Sequence, residues 1–102
     1  MSDALIRMVL GLASRFKDTH PNISYFVKSL RNAQVTDARF HLSSPEVSQH
    51  LAQLDSTALV ILVELLDEVR LQGESKGLYR EAAFLDLVSD RVKDKLSERR
   101  TQ

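Results

Sequence analysis

Three carboxylates lie within five residues at Glu64, Asp67 and Glu68, and their spacing could support metal binding or acid–base catalysis. Steps of three and four residues put these side chains on one face of a helix. A metal site in a helical bundle usually adds a histidine three or four residues from a carboxylate, and this segment has none. We therefore expect no active site here, and no metal ion or other cofactor.

The remaining sequence lacks motifs for common enzyme chemistries. His20, His41 and His50 are not spaced as metal ligands, and each is more simply a turn, loop or helix-surface residue. The chain has no cysteine, and it contains neither a phosphate-binding glycine loop nor a Gly-x-Ser-x-Gly elbow. We expect a protein that is not an enzyme.

Length and composition indicate one globular domain, which we assign to residues 1–102. Apolar residues make up 43% and charged residues 27% of the chain, a globular balance. The 14 basic and 14 acidic residues cancel, so no overall charge attracts nucleic acid or an anionic membrane. The apolar run at 58–63 is too short to span a bilayer, and the N-terminus lacks the layout of a signal peptide. The predicted location is the cytoplasm, without membrane association.

Residues 56–73 are predicted to form the helix around which the other elements pack. The run at 58–63 is apolar on every side, so a helix there has no face suited to water. A buried β-strand is the alternative, because this run is compact and rich in β-branched residues. The absence of a helix breaker before Gly73 favours the helix.

Periodicity and capping residues predict the other elements. Apolar residues from 5 to 16 recur at helical spacing, and a second helix follows the turn at 19–22. Ser44 and Pro45 form a strong helix start, and an apolar stripe from 78 to 96 predicts a long final helix. Residues 33–43 have no clear period, and loop, strand and short helix remain alternatives there. The predicted fold is an all-α, single-domain bundle of four to five helices, closed by a C-terminal helical hairpin.

Two glycines bear on helix boundaries and packing. Gly11 lowers the helix propensity of the first helix by up to about 1 kcal/mol relative to Ala. This indicates either the close approach of a neighbouring helix or a tolerated weakness, and we favour the second. Gly73 begins a polar, glycine-flanked segment that ends at Gly77, and it is suited to the end of the central helix.

Residues 42–54 contain a Leu-Ser start, a Val-Ser pair at 47–48 and a His-Leu pair at 50–51. This segment resembles the recognition-helix segment of winged-helix repressors of the ArsR kind. The resemblance implies a DNA-binding regulator with a wing between residues 69 and 80. The implied groove-facing residues are Ser44, Glu46, Ser48 and Gln49. The segment has no Lys or Arg to neutralise phosphates, so nucleic acid is not the expected partner. A small DNA-binding transcriptional regulator that uses residues 44–54 is the alternative function.

The last two helices carry more apolar positions than one buried face needs. Tyr79, Phe84 and Leu87 lie beside the main stripe of the final helix, unless the first two helices cover both faces. This surplus predicts a non-enzymatic protein–protein interaction module, such as an adaptor, chaperone-like factor or regulator. It would bind a protein partner or a second copy of itself, as a homodimer, through an apolar helical face. The predicted contacts are six large apolar residues and two basic residues of the tail: Tyr25, Phe26, Phe40, Tyr79, Phe84, Leu87, Arg91 and Lys95.

Overall fold

The computed structural model describes residues 4–33 and 45–100, and these residues form five α-helices. A 3₁₀ helix at Ser14–Phe16 directly follows the first of them. The α-helices are α1 (Ala4–Ala13), α2 (Pro21–Ala33), α3 (Pro45–Ala52), α4 (Ser56–Ser75) and α5 (Tyr79–Arg100). The predicted all-α bundle with a C-terminal hairpin is confirmed. Of the undecided segment 33–43, Ala33 ends α2, and the other residues lie outside the described part of the chain.

α4 is the helix at the centre of the packing, as its apolar sequence predicts. Its start is fixed by Asp55, whose side chain accepts a hydrogen bond of 2.7 Å from the backbone N–H of Ala58. Leu59, Leu62 and Leu66 are then completely buried. The β-strand alternative for residues 58–63 is therefore wrong. α4 packs along α5 and also contacts α1 and α2.

The turn between α4 and α5 is closed by Gly77 rather than by Gly73. Gly77 has a φ of +79°, in the left-handed region that favours glycine. The N–H of Leu78 donates to the carbonyl of Gly73 at 2.8 Å, and the N–H of Gly77 donates to the carbonyl of Glu74 at 3.1 Å. These two bonds form a Schellman motif, which satisfies the last carbonyls of α4. The prediction that Gly73 ends the helix is thus wrong, because α4 continues through it to Ser75.

Gly73 instead provides space for α1. A Cβ atom at this position would lie 2.4 Å from Cδ1 of Leu5, which is completely buried. Gly11 in α1, by contrast, has no atom within 4 Å of the place that a Cβ would occupy. The interpretation of Gly11 as a tolerated weakness is confirmed, and the close approach occurs at Gly73.

A buried carboxylate attaches the start of α1 to α5. The N–H of Leu5 donates to Oε1 of Glu81 at 3.0 Å, and Glu81 is buried. The N–H groups of the first helical turn have no partner within their own helix. Glu81 therefore supplies from another helix an acceptor that α1 needs.

The C-terminal end of α5 is attached to α3 in a similar way. The guanidinium of Arg99 donates to the carbonyl oxygen of Ala52 at 2.9 Å and to that of Leu54. A cation is favourable here because the C-terminal end of a helix carries a partial negative charge. α5 is thus long enough both to pack against α4 and to bind the C-terminal end of α3.

None of the helices in the described ranges has the length and apolar character that crossing a membrane requires.

Candidate interaction surfaces

Two of the predicted contact residues are part of the core. Phe26 is completely buried together with its neighbours Ile23 and Val27, which share its face of α2. Phe84 is only 6% exposed and lies in the broad buried sector of α5 with Leu85. Both side chains are buried in the core, so neither is available as the partner contact that was predicted. The surrounding helices cover the face of α5 on which Phe84 lies.

Three other predicted contacts are on the surface, on two different helices. Tyr25 on α2 is 52% exposed, and Tyr79 and Leu87 on α5 are 68% and 41% exposed. Ala83 is also exposed, so residues 79, 83 and 87 form an outward apolar stripe at four-residue spacing. The remaining aromatic contact, Phe40, lies outside the described residues.

The two basic contacts, Arg91 and Lys95, line one small cleft between α3 and α5. Its volume is about 80 Å³, and its other lining residues include Leu51 and Glu98. Nζ of Lys95 lies 3.5 Å from Oε2 of Glu98. The structure thus brings these two residues together, but the space is small and one of the two cations is already paired.

The three clustered carboxylates of α4, Glu64, Asp67 and Glu68, lie in different environments. Asp67 turns toward α5, where its Oδ1 accepts a 3.0 Å hydrogen bond from the buried hydroxyl of Ser89 and its Oδ2 lies 3.7 Å from Nζ of Lys93. Glu64 and Glu68 are exposed on the outer face of the helix. No group of three or more histidine, cysteine or acidic side chains within the described ranges is arranged to hold a metal ion. Asp67 therefore serves helix packing in this structure.

A concave surface lies between α1 and α2, near the turn that joins them. The 3₁₀ helix and the bond from the N–H of His20 to the carbonyl of Phe16, 2.6 Å long, reverse the chain and place α2 beside α1. The resulting cleft has a volume of about 430 Å³. One wall comes from α1 and the residues just after it, and the other comes from the first three turns of α2. The lining residues are Leu10, Ser14, Lys17, Asp18, Pro21, Ser24, Tyr25 and Lys28. We call this the α1–α2 cleft.

Tyr25 and Lys28 form a ridge at the edge of the α1–α2 cleft. The ammonium of Lys28 lies 5.9 Å from the centroid of the Tyr25 ring, within the range of a cation–π contact. A second cleft of about 270 Å³ lies on the other side of this ridge, against α3, and includes Glu46 and His50. Nδ1 of His50 is buried and has no hydrogen-bond partner among the described residues. Tyr25 therefore stands half-exposed between two concave surfaces.

The segment that forms the α1–α2 cleft is more basic than the rest of the chain, and the cleft lining contains Lys17 and Lys28 against one carboxylate, Asp18. Residues 4–33 contain five basic residues and one acidic residue, Asp18, which gives a net charge of +4. Residues 45–100 contain eight basic and eleven acidic residues, a net charge of −3. Neither Lys17 nor Lys28 forms an ion pair with another described residue, and both are exposed. The predictions from sequence missed these two lysines, which a segment-by-segment charge count could have indicated.

The segment that resembles a repressor recognition helix forms α3, and the implied wing is not formed. Residues 69–80 are the end of α4, the turn at Gly77 and the start of α5. A wing is an extended β-ribbon, and the hairpin turn leaves no room for one there. That part of the expectation is wrong.

Comparisons of the chain with protein-family models, with curated proteins and with solved structures found no match in any of the three.

Proposed function

We propose that this protein is a non-enzymatic interaction module that binds a partner protein at the α1–α2 cleft, with Tyr25 as the central contact. The observation that carries the proposal is the position of this ring. It is 52% exposed, lies between two clefts, and is accompanied by lysines without ion pairs in the described chain. Tyrosine and other large side chains in well-formed pockets supply much of the binding energy of protein interfaces.

The α1–α2 cleft suits this role better than the apolar stripe of α5. The stripe at 79, 83 and 87 is on the outer, convex side of a helix, whereas the cleft offers concave apolar surface at Leu10 and Pro21. Concave sites bury a larger part of a bound group. The stripe is the second candidate surface and the one best placed for self-association as a homodimer. A role as a small cytoplasmic adaptor, chaperone-like factor or regulator belongs to this proposal.

Photo-crosslinking at position 25 tests the proposal. Tyr25 is replaced by the photoreactive residue p-benzoylphenylalanine in the full chain, which is then irradiated in native lysate. A matched control carries the same residue at Gln72, which is exposed on α4. We expect a defined protein adduct at position 25 that is absent at position 72, and that an excess of the unmodified protein suppresses. Equal adducts at both positions, or no adduct at position 25, would refute the proposal.

A third probe position distinguishes the proposed interaction module from the DNA-binding alternative. Gln49 is exposed on α3, the helix that this alternative would place in the major groove. The same photoreactive residue is placed there, and the lysate is irradiated with and without nuclease. A nuclease-sensitive adduct at position 49, with none at position 25, would support the DNA-binding regulator instead of the interaction module.

A further inference from the structure

We infer that the segment of the partner that occupies the α1–α2 cleft is acidic and carries at least one large apolar side chain. This inference rests on the proposed function and specifies the chemistry of the ligand. Its basis is the separation of charge in a chain whose total charge is zero. Residues 4–33 have a net charge of +4, and the lining of the cleft itself contains two lysines, Lys17 and Lys28, and a single carboxylate, Asp18.

The two walls of the α1–α2 cleft each contribute one lysine. Lys17 follows the 3₁₀ helix that extends α1, and Lys28 lies on the third turn of α2. The lining also includes Leu10, Pro21 and Tyr25. A chain segment in this cleft can therefore place an apolar side chain against these surfaces while its carboxylates approach an ammonium on either side. Opposite charges of this kind favour the correct partner and speed its association.

The volume of the cleft indicates a short segment. Ligand pockets usually measure about 300–1,000 Å³, and the α1–α2 cleft, at about 430 Å³, lies near the lower end. It accommodates a few side chains rather than the body of a helix. The ligand is thus a few residues of the partner, with the acidic residues at the rim and the apolar residue inside.

A polyanion such as nucleic acid fits this cleft less well. Nucleic-acid surfaces neutralise a regular series of phosphates with rows of basic residues. Here two lysines share the lining with the carboxylate of Asp18, which would repel a continuous phosphate chain. A peptide can present a neutral residue opposite Asp18 and acidic residues opposite Lys17 and Lys28. The mixed lining therefore favours an acidic peptide.

Selection from an unbiased peptide library tests the inference. A displayed library of random 16-residue peptides is selected on the full-length protein, and enriched peptides are synthesised with a fluorescent label for anisotropy titration. We expect enriched peptides with net negative charge and at least one aromatic or large aliphatic residue. Binding should weaken when salt is raised from 50 to 500 mM, because exposed charges are screened.

Charge-reversal variants test whether the selected peptides bind at the α1–α2 cleft. The double variant Lys17→Glu with Lys28→Glu should lower the affinity for the selected peptides about tenfold, since two attractive contacts become repulsive. The control is Lys76→Glu with Arg80→Glu, which makes the same change in net charge at exposed positions near the α4–α5 turn. The control variant should bind within about twofold of the original protein.

Several outcomes would overturn the inference. They are enrichment of no peptides, enrichment of neutral or basic peptides, equal loss of affinity in the two double variants, and tighter binding of a fluorescent single-stranded oligonucleotide than of any peptide. The crosslinking result at Tyr25 separates the two proposals. A partner captured there together with a failed peptide test leaves the interaction module intact and refutes the acidic ligand. Absence of a specific adduct refutes the function itself.

Discussion

Gly11 and Gly73 allow the same substitution to be made at two helical positions with opposite surroundings. Gly11 lies on the exposed side of α1, and Gly73 lies in α4 where the side chain of Leu5 packs against it. Replacing either residue by Ala adds one methyl group. The expected change in the free energy of unfolding has opposite sign at the two positions.

At Gly11 the added methyl group meets no atom. Nothing lies within 4 Å of the Cβ position, and the residue is inside a regular helix. Alanine also restricts the unfolded chain more than glycine does. The Gly11→Ala substitution should therefore raise the free energy of unfolding by about 0.5–1 kcal/mol.

At Gly73 the same gain in helix propensity is offset by crowding. The new Cβ would lie 2.4 Å from Cδ1, 3.0 Å from Cδ2 and 3.3 Å from Cγ of Leu5. Leu5 is completely buried, so its side chain can move only by displacing the core around it. Overpacking of a core costs about 1–3 kcal/mol. The net effect of Gly73→Ala is a loss of about 1 kcal/mol, which makes it about 2 kcal/mol less stable than Gly11→Ala.

Urea denaturation and thermal melting measure this difference. For a domain of this size, about 2 kcal/mol corresponds to roughly 10 °C in Tm. Leu5→Val shortens the crowding side chain, so the Gly73→Ala cost should be smaller in that background, with a coupling of about 0.5 kcal/mol or more. Equal stabilisation by the two alanines, or no coupling between positions 5 and 73, would show that α1 does not pack on α4 as described.

Three further substitutions test single hydrogen bonds and one backbone conformation. Glu81→Ala removes the acceptor of the buried Leu5 N–H and should cost about 1–3 kcal/mol of unfolding free energy, with faster hydrogen exchange at that amide; unchanged exchange there would refute the contact. Gly77→Ala places a Cβ on a residue with φ of +79° and should lower stability in urea by about 1–2 kcal/mol; an unchanged midpoint would be incompatible with the left-handed turn. Asp55→Ala removes the cap on Ala58 and should cost about 1 kcal/mol, seen as a lower Tm, whereas Asp55→Asn should retain most of it; equal losses in both would contradict the capping role.

Local patterns predicted the helices because their causes are local. The apolar run in α4, the proline at the start of α3 and the four-residue spacing in α5 act within one or two helical turns. Which helix covers a second apolar face is decided by tertiary packing. Phe84 is therefore buried and Tyr79 is exposed, although both were predicted as surface contacts from the same pattern.

The end of α4 shows how packing decides between two local alternatives. Residues 73–77 contain a glycine at each end, and either could end a helix by its own conformational freedom. The contact with Leu5 requires a residue without a Cβ at position 73, so Gly73 is needed inside the helix. Gly77 is then the residue that adopts the left-handed conformation. Leu5 is 68 residues away in sequence, so the local sequence around Gly73 gives no information about this contact.

The α1–α2 cleft was missed for a related reason. A total charge of zero describes the average over the chain, whereas a binding surface depends on which charges neighbour one another. In the hairpin, Asp67 is near Lys93 and Glu74 is bonded to Arg70, so acidic and basic groups there satisfy each other. Lys17 and Lys28 form no such ion pair with another described residue, and the acidic excess of the hairpin lies on α4, which has four acidic residues and one basic residue. Neutrality of the sequence therefore results from two regions of opposite charge, and it is the basic one that contains the exposed Tyr25.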